Sequence, residues 1–155
     1  MTKKNLRLYN VLFPIWFLYF FPSLWLLILP ANFLIDSLVL YLSARSQKIT
    51  ERFSLWKRSI LPVWIIGFLS DFAGAGLTVL LYFLLEPITD WNLILFPGTS
   101  LIALPGIFLS GLLIYFLNKK FSFPKSGLET QQIHKLCLFL AIFTAPYTML
   151  IPLYG

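Results

Sequence analysis

The chain has 155 residues, of which 59% are apolar and only 12% charged, and it carries a formal net charge of +6. Charged residues reach about half their usual share of roughly a quarter. Such a composition excludes a soluble globular enzyme, a disordered chain and a secreted disulfide scaffold, and it leaves a polytopic membrane protein.

The positive charge does not point to nucleic acid. All twelve Lys and Arg fall in three short clusters. These are Lys3, Lys4 and Arg7; Arg45, Lys48, Arg52, Lys57 and Arg58; and Lys119, Lys120, Lys125 and Lys135. Long apolar runs separate them, as cytoplasmic loops are separated by membrane spans. The bilayer is therefore the expected partner, in a cell membrane crossed several times. The only cysteine, Cys137, sits in an apolar run and reads as a small buried hydrophobe. The apolar run after the N-terminal lysines continues to about residue 42, and Ser43-Ala44-Arg45 is a poor cleavage site. It reads as a retained membrane segment rather than a signal peptide.

In chain order, residues 11–42 hold a single charge, Asp36. One helix of that length would run about 48 Å against a hydrocarbon core of about 30 Å. Pro14, Pro22 and Pro30 interrupt the run. Proline removes a donor and disfavours helical geometry in the residue before it. The best break is Pro30-Ala31-Asn32, with Asn32 as a cap. This predicts a first span over 10–29 and a second helix over 32–46. Ile49, Phe53, Trp56 and Ile60 then recur at helical spacing, which predicts a short amphipathic helix at the membrane surface or a mobile loop.

The next span covers 60–85, and an acidic turn at 86–92 follows it. A further span covers 93–117, its first turns irregular at Pro97-Gly98-Thr99-Ser100 and with Pro105 inside it. Ser126 and Glu129 match a capping box and predict a helix from Gly127 to about residue 151, kinked at Pro146. The tryptophans fall mostly near span ends, where interfacial belts put them. If every basic cluster faces the cytoplasm, 10–29 and 32–46 form a hairpin. The expected fold is all-α, a polytopic helical membrane bundle forming one domain over 1–155. It has five membrane helices, with the N-terminus cytoplasmic and the C-terminus outside. The alternative is four spans plus a re-entrant segment.

Two aspartates, Asp36 and Asp71, lie within apolar runs. Their expected depths from the same face are about 12 and 16 Å, so the two carboxyls are expected to meet. An aspartate at mid-helix costs about 2.5–3.5 kcal/mol on the insertion scale. Asn32 and Ser37 sit beside Asp36, and Ser70 sits beside Asp71. These five residues form a candidate protonatable or ion-binding site. The other reading is a pair of buried carboxyls that pin helix packing. Gly67, Asp71, Gly74 and Thr78 form a small or polar stripe, and Ala103, Gly106 and Ser110 form a second one. Stripes of this kind let membrane helices approach closely. Residues 32–36 and 67–71 share F-L-x-D, which fits either an inverted repeat or coincidence in a Phe- and Leu-rich chain. Thr144-Ala145-Pro146-Tyr147-Thr148 reads as a proline kink or as an unwound segment that lines a ligand site.

No Ser–His arrangement, phosphate-cradling glycine loop or metal-ligand cluster is present, and His134 has no ligand partner near it in sequence. The reading leans away from an enzyme and expects no metal and no cofactor. In size and span number the chain is similar to lipoprotein signal peptidase. Its Asn32-Phe33-Leu34-Ile35-Asp36-Ser37 resembles that family's second aspartate motif, which would imply an aspartyl intramembrane protease. The family's asparagine–glycine–alanine motif is absent, no arginine follows an aspartate, and the expected topology puts both aspartates on the wrong side. The overall pattern resembles a group of small, uncharacterised multi-span membrane proteins of Gram-positive bacteria. That resemblance rests on Asn10-Val11-Leu12-Phe13-Pro14-Ile15-Trp16, on Leu29-Pro30 with Ile35-Asp36-Ser37-Leu38, and on Tyr115-Phe116-Leu117-Asn118. It implies no activity. The leading functional expectation is a small ion- or proton-coupled transporter or channel, built as a homodimer. The alternative is a membrane subunit or scaffold that binds other membrane proteins through its small-residue stripes.

Overall fold

The computed structural model describes residues 22–88 and 98–150, and among them every regular element is helical. Four helices form the bundle: α1 (Pro22–Ser46), α2 (Arg52–Leu85), α3 (Gly98–Leu117) and α4 (Thr130–Phe143). With their flanking turns, all four are long and apolar enough to cross a membrane. Their outer faces are apolar, with Leu26 85% and Leu27 73% exposed, as suits contact with acyl chains. The first basic cluster, residues 10–21 of the first expected span, Asp90 with Trp91, and residues 93–97 lie outside the described residues. A fifth membrane helix is therefore not among the four.

The expected break at Pro30 is absent. α1 runs continuously through it, with Pro22 in its first turn. One proline inside a helix frees a single carbonyl from its usual donor. A full break would free up to four N–H and four C=O groups. In hydrocarbon no water satisfies them, so the continuous helix costs less. Pro62 and Pro105 likewise sit inside α2 and α3, and α3 is helical from Gly98 onward rather than irregular there.

α1 ends in a tight turn that sets the α1–α2 hairpin. The Lys48 N–H donates to the Arg45 carbonyl, and the Ile49 N–H donates to the Ala44 carbonyl. Lys48 takes the left-handed conformation at φ 54°. This is the Schellman pattern, with Ala44 and Ile49 meeting in the core. The expected separate surface helix over 49–60 does not form. α2 begins at Arg52 and continues for 34 residues, about 51 Å at the usual rise. At that length it exceeds a hydrocarbon core of about 30 Å. Ile49 and Ile60 are buried, Phe53 is exposed, and the Trp56 indole N–H donates to Ser37 Oγ.

The last helix starts later than expected. Glu129, not Ser126, precedes it, and the Glu129 N–H donates to Gln132 Oε1. Ser126 instead closes the preceding turn by donating to the Phe123 carbonyl at 2.6 Å. Gly127 then passes through φ 70°. Phe123 is fully buried and anchors this loop against α2 and α4. α4 also ends sooner than expected, at Phe143, and a short 3-10 turn follows at Tyr147–Leu150.

Two basic clusters share one end of the bundle. Arg58 and Lys125 line one cavity, and Ser59 Oγ donates to the Ser122 carbonyl. Two apolar core clusters lie along the bundle axis. One, at this end, contains Leu40, Val63, Ile114 and Leu140. The other contains Ala75, Ala103, Ile107 and Ala145, with Ile28 packed against it.

Candidate functional site

A polar layer separates the two core clusters, and each helix contributes to it. Along α1, Asn32 and Asp36 fall between Ile28 and Leu40. Along α2, Gly67 and Asp71 fall between Val63 and Ala75. On α3, Ser110 falls between Ile107 and Ile114, and at the end of α4 Thr144 falls between Leu140 and Ala145. Asp36 and Asp71 are 3% and 4% exposed. Both line a cavity of about 220 Å³, together with Asn32, Ile35 and residues 143–148.

The two carboxyls are held differently. Asp71 Oδ1 accepts a 2.7 Å hydrogen bond from Ser110 Oγ, and its Oδ2 accepts one from Asn32 Nδ2 at 3.4 Å. These bonds tie α2 to α3 and α1. Asp36 meets the Thr144 side chain, whose hydroxyl also donates to the Leu140 carbonyl at 2.8 Å. One hydroxyl proton serves one acceptor at a time. Asp36 Oδ2 is buried without a hydrogen-bond partner. Among the described residues, no Lys, Arg or His lines this cavity.

The helix contacts that build the site are reciprocal. Asn32, four residues before Asp36, reaches Asp71, while Gly67, four residues before Asp71, lies against Asp36. The two F-L-x-D segments therefore cross head to tail, each presenting the residue just before its Phe to the other's aspartate. On an α-helix, residues four apart share a face, so one antiparallel crossing satisfies both contacts.

Of the expected site residues, Asp36, Asp71 and Asn32 come together. Ser37 and Ser70 do not join them. Ser37 accepts from Trp56, and Ser70 donates back to the Ile66 carbonyl of its own helix at 2.7 Å. Each is adjacent in sequence to an aspartate, and neighbours on a helix point about 100° apart. Ser110 and Thr144 join the site without being expected there. In the sequence Ser110 is recognisable only as part of a small-residue stripe. Thr144 is visible there only as part of the Pro146 segment.

The two small-residue stripes pack on each other. A Cβ on Gly74 would strike the Gly106 carbonyl, and one on Gly106 would strike Thr78 Oγ1 and the Gly74 carbonyl. Thr78 donates to the Gly74 carbonyl at 3.0 Å, and Ala103 is fully buried in the same contact region. The stripes thus join α2 to α3 within the chain. Among the described residues, no group of three His, Cys, Asp or Glu could hold a metal ion. His134 Nδ1 is paired with the Tyr115 hydroxyl, away from the aspartates, and Cys137 is buried. Comparison with protein-family models, with curated proteins and with solved structures finds no match for this chain.

Proposed function

We propose that this protein is a small cation- or proton-coupled membrane transporter or channel whose working site is the Asp36–Asp71 pair. The observation that carries the reading is the unequal support of two buried carboxyls beside one cavity. Hydrogen bonds to a charged group contribute about 1.5–3 kcal/mol each. Asp71 has two, which offset much of its cost of burial. Asp36 has an oxygen with no partner at all. A neutralising positive charge is what the pair lacks, and the cavity at residues 143–148 gives such a charge a place to reside. Groups arranged in this way inside a membrane mark proton relays and ion paths.

In this reading the end of the bundle that carries Arg45, Lys48, Arg58 and Lys125 is cytoplasmic, by the bias of basic loops. Because α1 is one continuous crossing, its Pro22 end then faces outside, as Leu150 does, and the hairpin of 10–29 with 32–46 that would bring the N-terminus inside does not form. Four or five helices enclose little volume, so two copies form the working unit in a cell membrane.

A packing role for Asp71 is the second reading, favoured by its bonds to Ser110 and Asn32. The scaffold reading loses its stripes, because Gly74 and Gly106 face each other inside the chain. The protease reading rests on the presence of two aspartates and little else. The test is reconstitution in liposomes under an imposed pH gradient. Asp36→Asn is expected to abolish gradient-driven flux while the protein stays folded. Flux unchanged in Asp36→Asn would sink the proposal.

A further inference from the structure

The geometry points to a small alkali cation, sodium or lithium, as an occupant of the Asp36–Asp71 cavity, held partly by the unwound end of α4. This inference rests on the proposed function and names its ion. α4 stops at Phe143, level with the polar layer. Its last carbonyls then lose their donors for a definite reason. Pro146 has no N–H, so the Ile142 carbonyl has no partner four residues on. The Tyr147 N–H, which would serve Phe143, donates instead to the Ala145 carbonyl at 2.7 Å. A helix C-terminus carries roughly half a negative charge on such groups. That end lies beside two carboxyls, in a cavity lined by Phe143, Thr144 and Pro146. Negative potential converges there from three elements, and Asp36 Oδ2 is buried and unpartnered among them.

The chemistry of the donors selects the ion. Every available donor is a carboxylate, hydroxyl, amide or backbone oxygen, and such sets favour hard cations over transition metals. Both Asp71 oxygens already accept hydrogen bonds, which leaves Asp36 Oδ2 as the free carboxylate oxygen. One free anionic oxygen suits one positive charge. A calcium site takes six to eight oxygens with several carboxylates. Broken membrane helices place carbonyl ends on sodium in the same manner. A proton competes for the same oxygen, so cation binding falls as pH falls.

Radiosodium binding to the purified full chain in detergent tests this. The expected result is saturable binding at alkaline pH, displaced by lithium and by acid but not by choline. Asp36→Asn is expected to remove it. Pro146→Ala restores an N–H for the Ile142 carbonyl and keeps both carboxyls, and is expected to weaken binding about tenfold or more. Gly76→Ala, at a position with open space around it, serves as the control with unchanged binding. Folding of each variant is checked by monodisperse elution, and where Pro146→Ala does not fold, Asp36→Asn decides. A folded wild type with no saturable sodium binding overturns the inference, as does binding indifferent to both variants. If sodium fails to bind while Asp36→Asn still abolishes proton flux, the cation is wrong and the transport reading stands. If neither effect appears, both fall.

Discussion

Asp36 and Gly67 face each other so closely across α1 and α2 that a Cβ on Gly67 would stand 2.9 Å from Asp36 Oδ2. The glycine makes room for the carboxyl. Alanine at this position meets only the far end of a side chain, which can swing away. In a helix alanine is also favoured over glycine by up to about 1 kcal/mol. Gly67→Ala is therefore expected to leave stability near wild type and to displace the Asp36 carboxyl. Unfolding midpoints in mixed micelles should barely move, while flux or cation binding drops. A large loss of stability would contradict this account.

Gly74 and Gly106 behave differently, because each faces the other's backbone. Backbone carbonyls in packed helices cannot swing aside. Gly74→Ala and Gly106→Ala are each expected to cost about 1–3 kcal/mol or more, as overpacking does. Gly76, two residues along the same helix, has nothing within 4 Å. Gly76→Ala should be neutral or stabilising by up to about 1 kcal/mol. Denaturant titration of the three variants side by side checks the contrast.

The hydrogen bond from Ser110 to Asp71 is buried and short, at 2.7 Å. Removing the hydroxyl leaves a buried carboxylate oxygen unpaired, at a cost of about 1–3 kcal/mol. Ser110→Ala is expected to destabilise by that order in the wild-type background. In an Asp71→Ala background the same change should cost much less. A double-mutant cycle measures the coupling, and additive effects would show that the bond contributes nothing.

Continuity of α1 through Pro30 makes a prediction about access. Ala31 and Ser46 belong to one helix, about 22 Å apart along its axis. With Cys137 replaced, a cysteine at Ala31 should resist water-soluble thiol reagents from both sides. A cysteine at Ser46 should label from the side that bears Arg45 and Lys48. Ready labelling at Ala31 would mean that the helix breaks there after all.

Much of the site is legible in the amino-acid sequence. Asp36 and Asp71 stand out because charge is rare in spans this apolar, and counting residues from the basic loop puts them at similar depths. The i, i+4 relation of Asn32 to Asp36 is legible too, and the tertiary contact turns it into a bond to Asp71. Ser37 and Ser70 fall outside the site because adjacency in sequence is not adjacency on a helix face. The cap of α4 shifts from Ser126 to Glu129 because two overlapping signals exist there. The buried Phe123 and the turn at Gly127 favour the second.

By itself the sequence determined that this chain is helical, with runs long and apolar enough to cross a membrane, where its basic loops lie, and which residues each helix face carries. The tertiary structure decided which faces meet. Helices apolar on all sides bear little directional signal, so rotation about each axis is set by a few small and polar groups finding one another. Gly74 against Gly106, Gly67 against Asp36 and Ser110 against Asp71 are such meetings, and the sequence holds each partner without naming its mate. Only the folded chain brings the end of α4 to the aspartates, because that placement depends on where three other helices leave space.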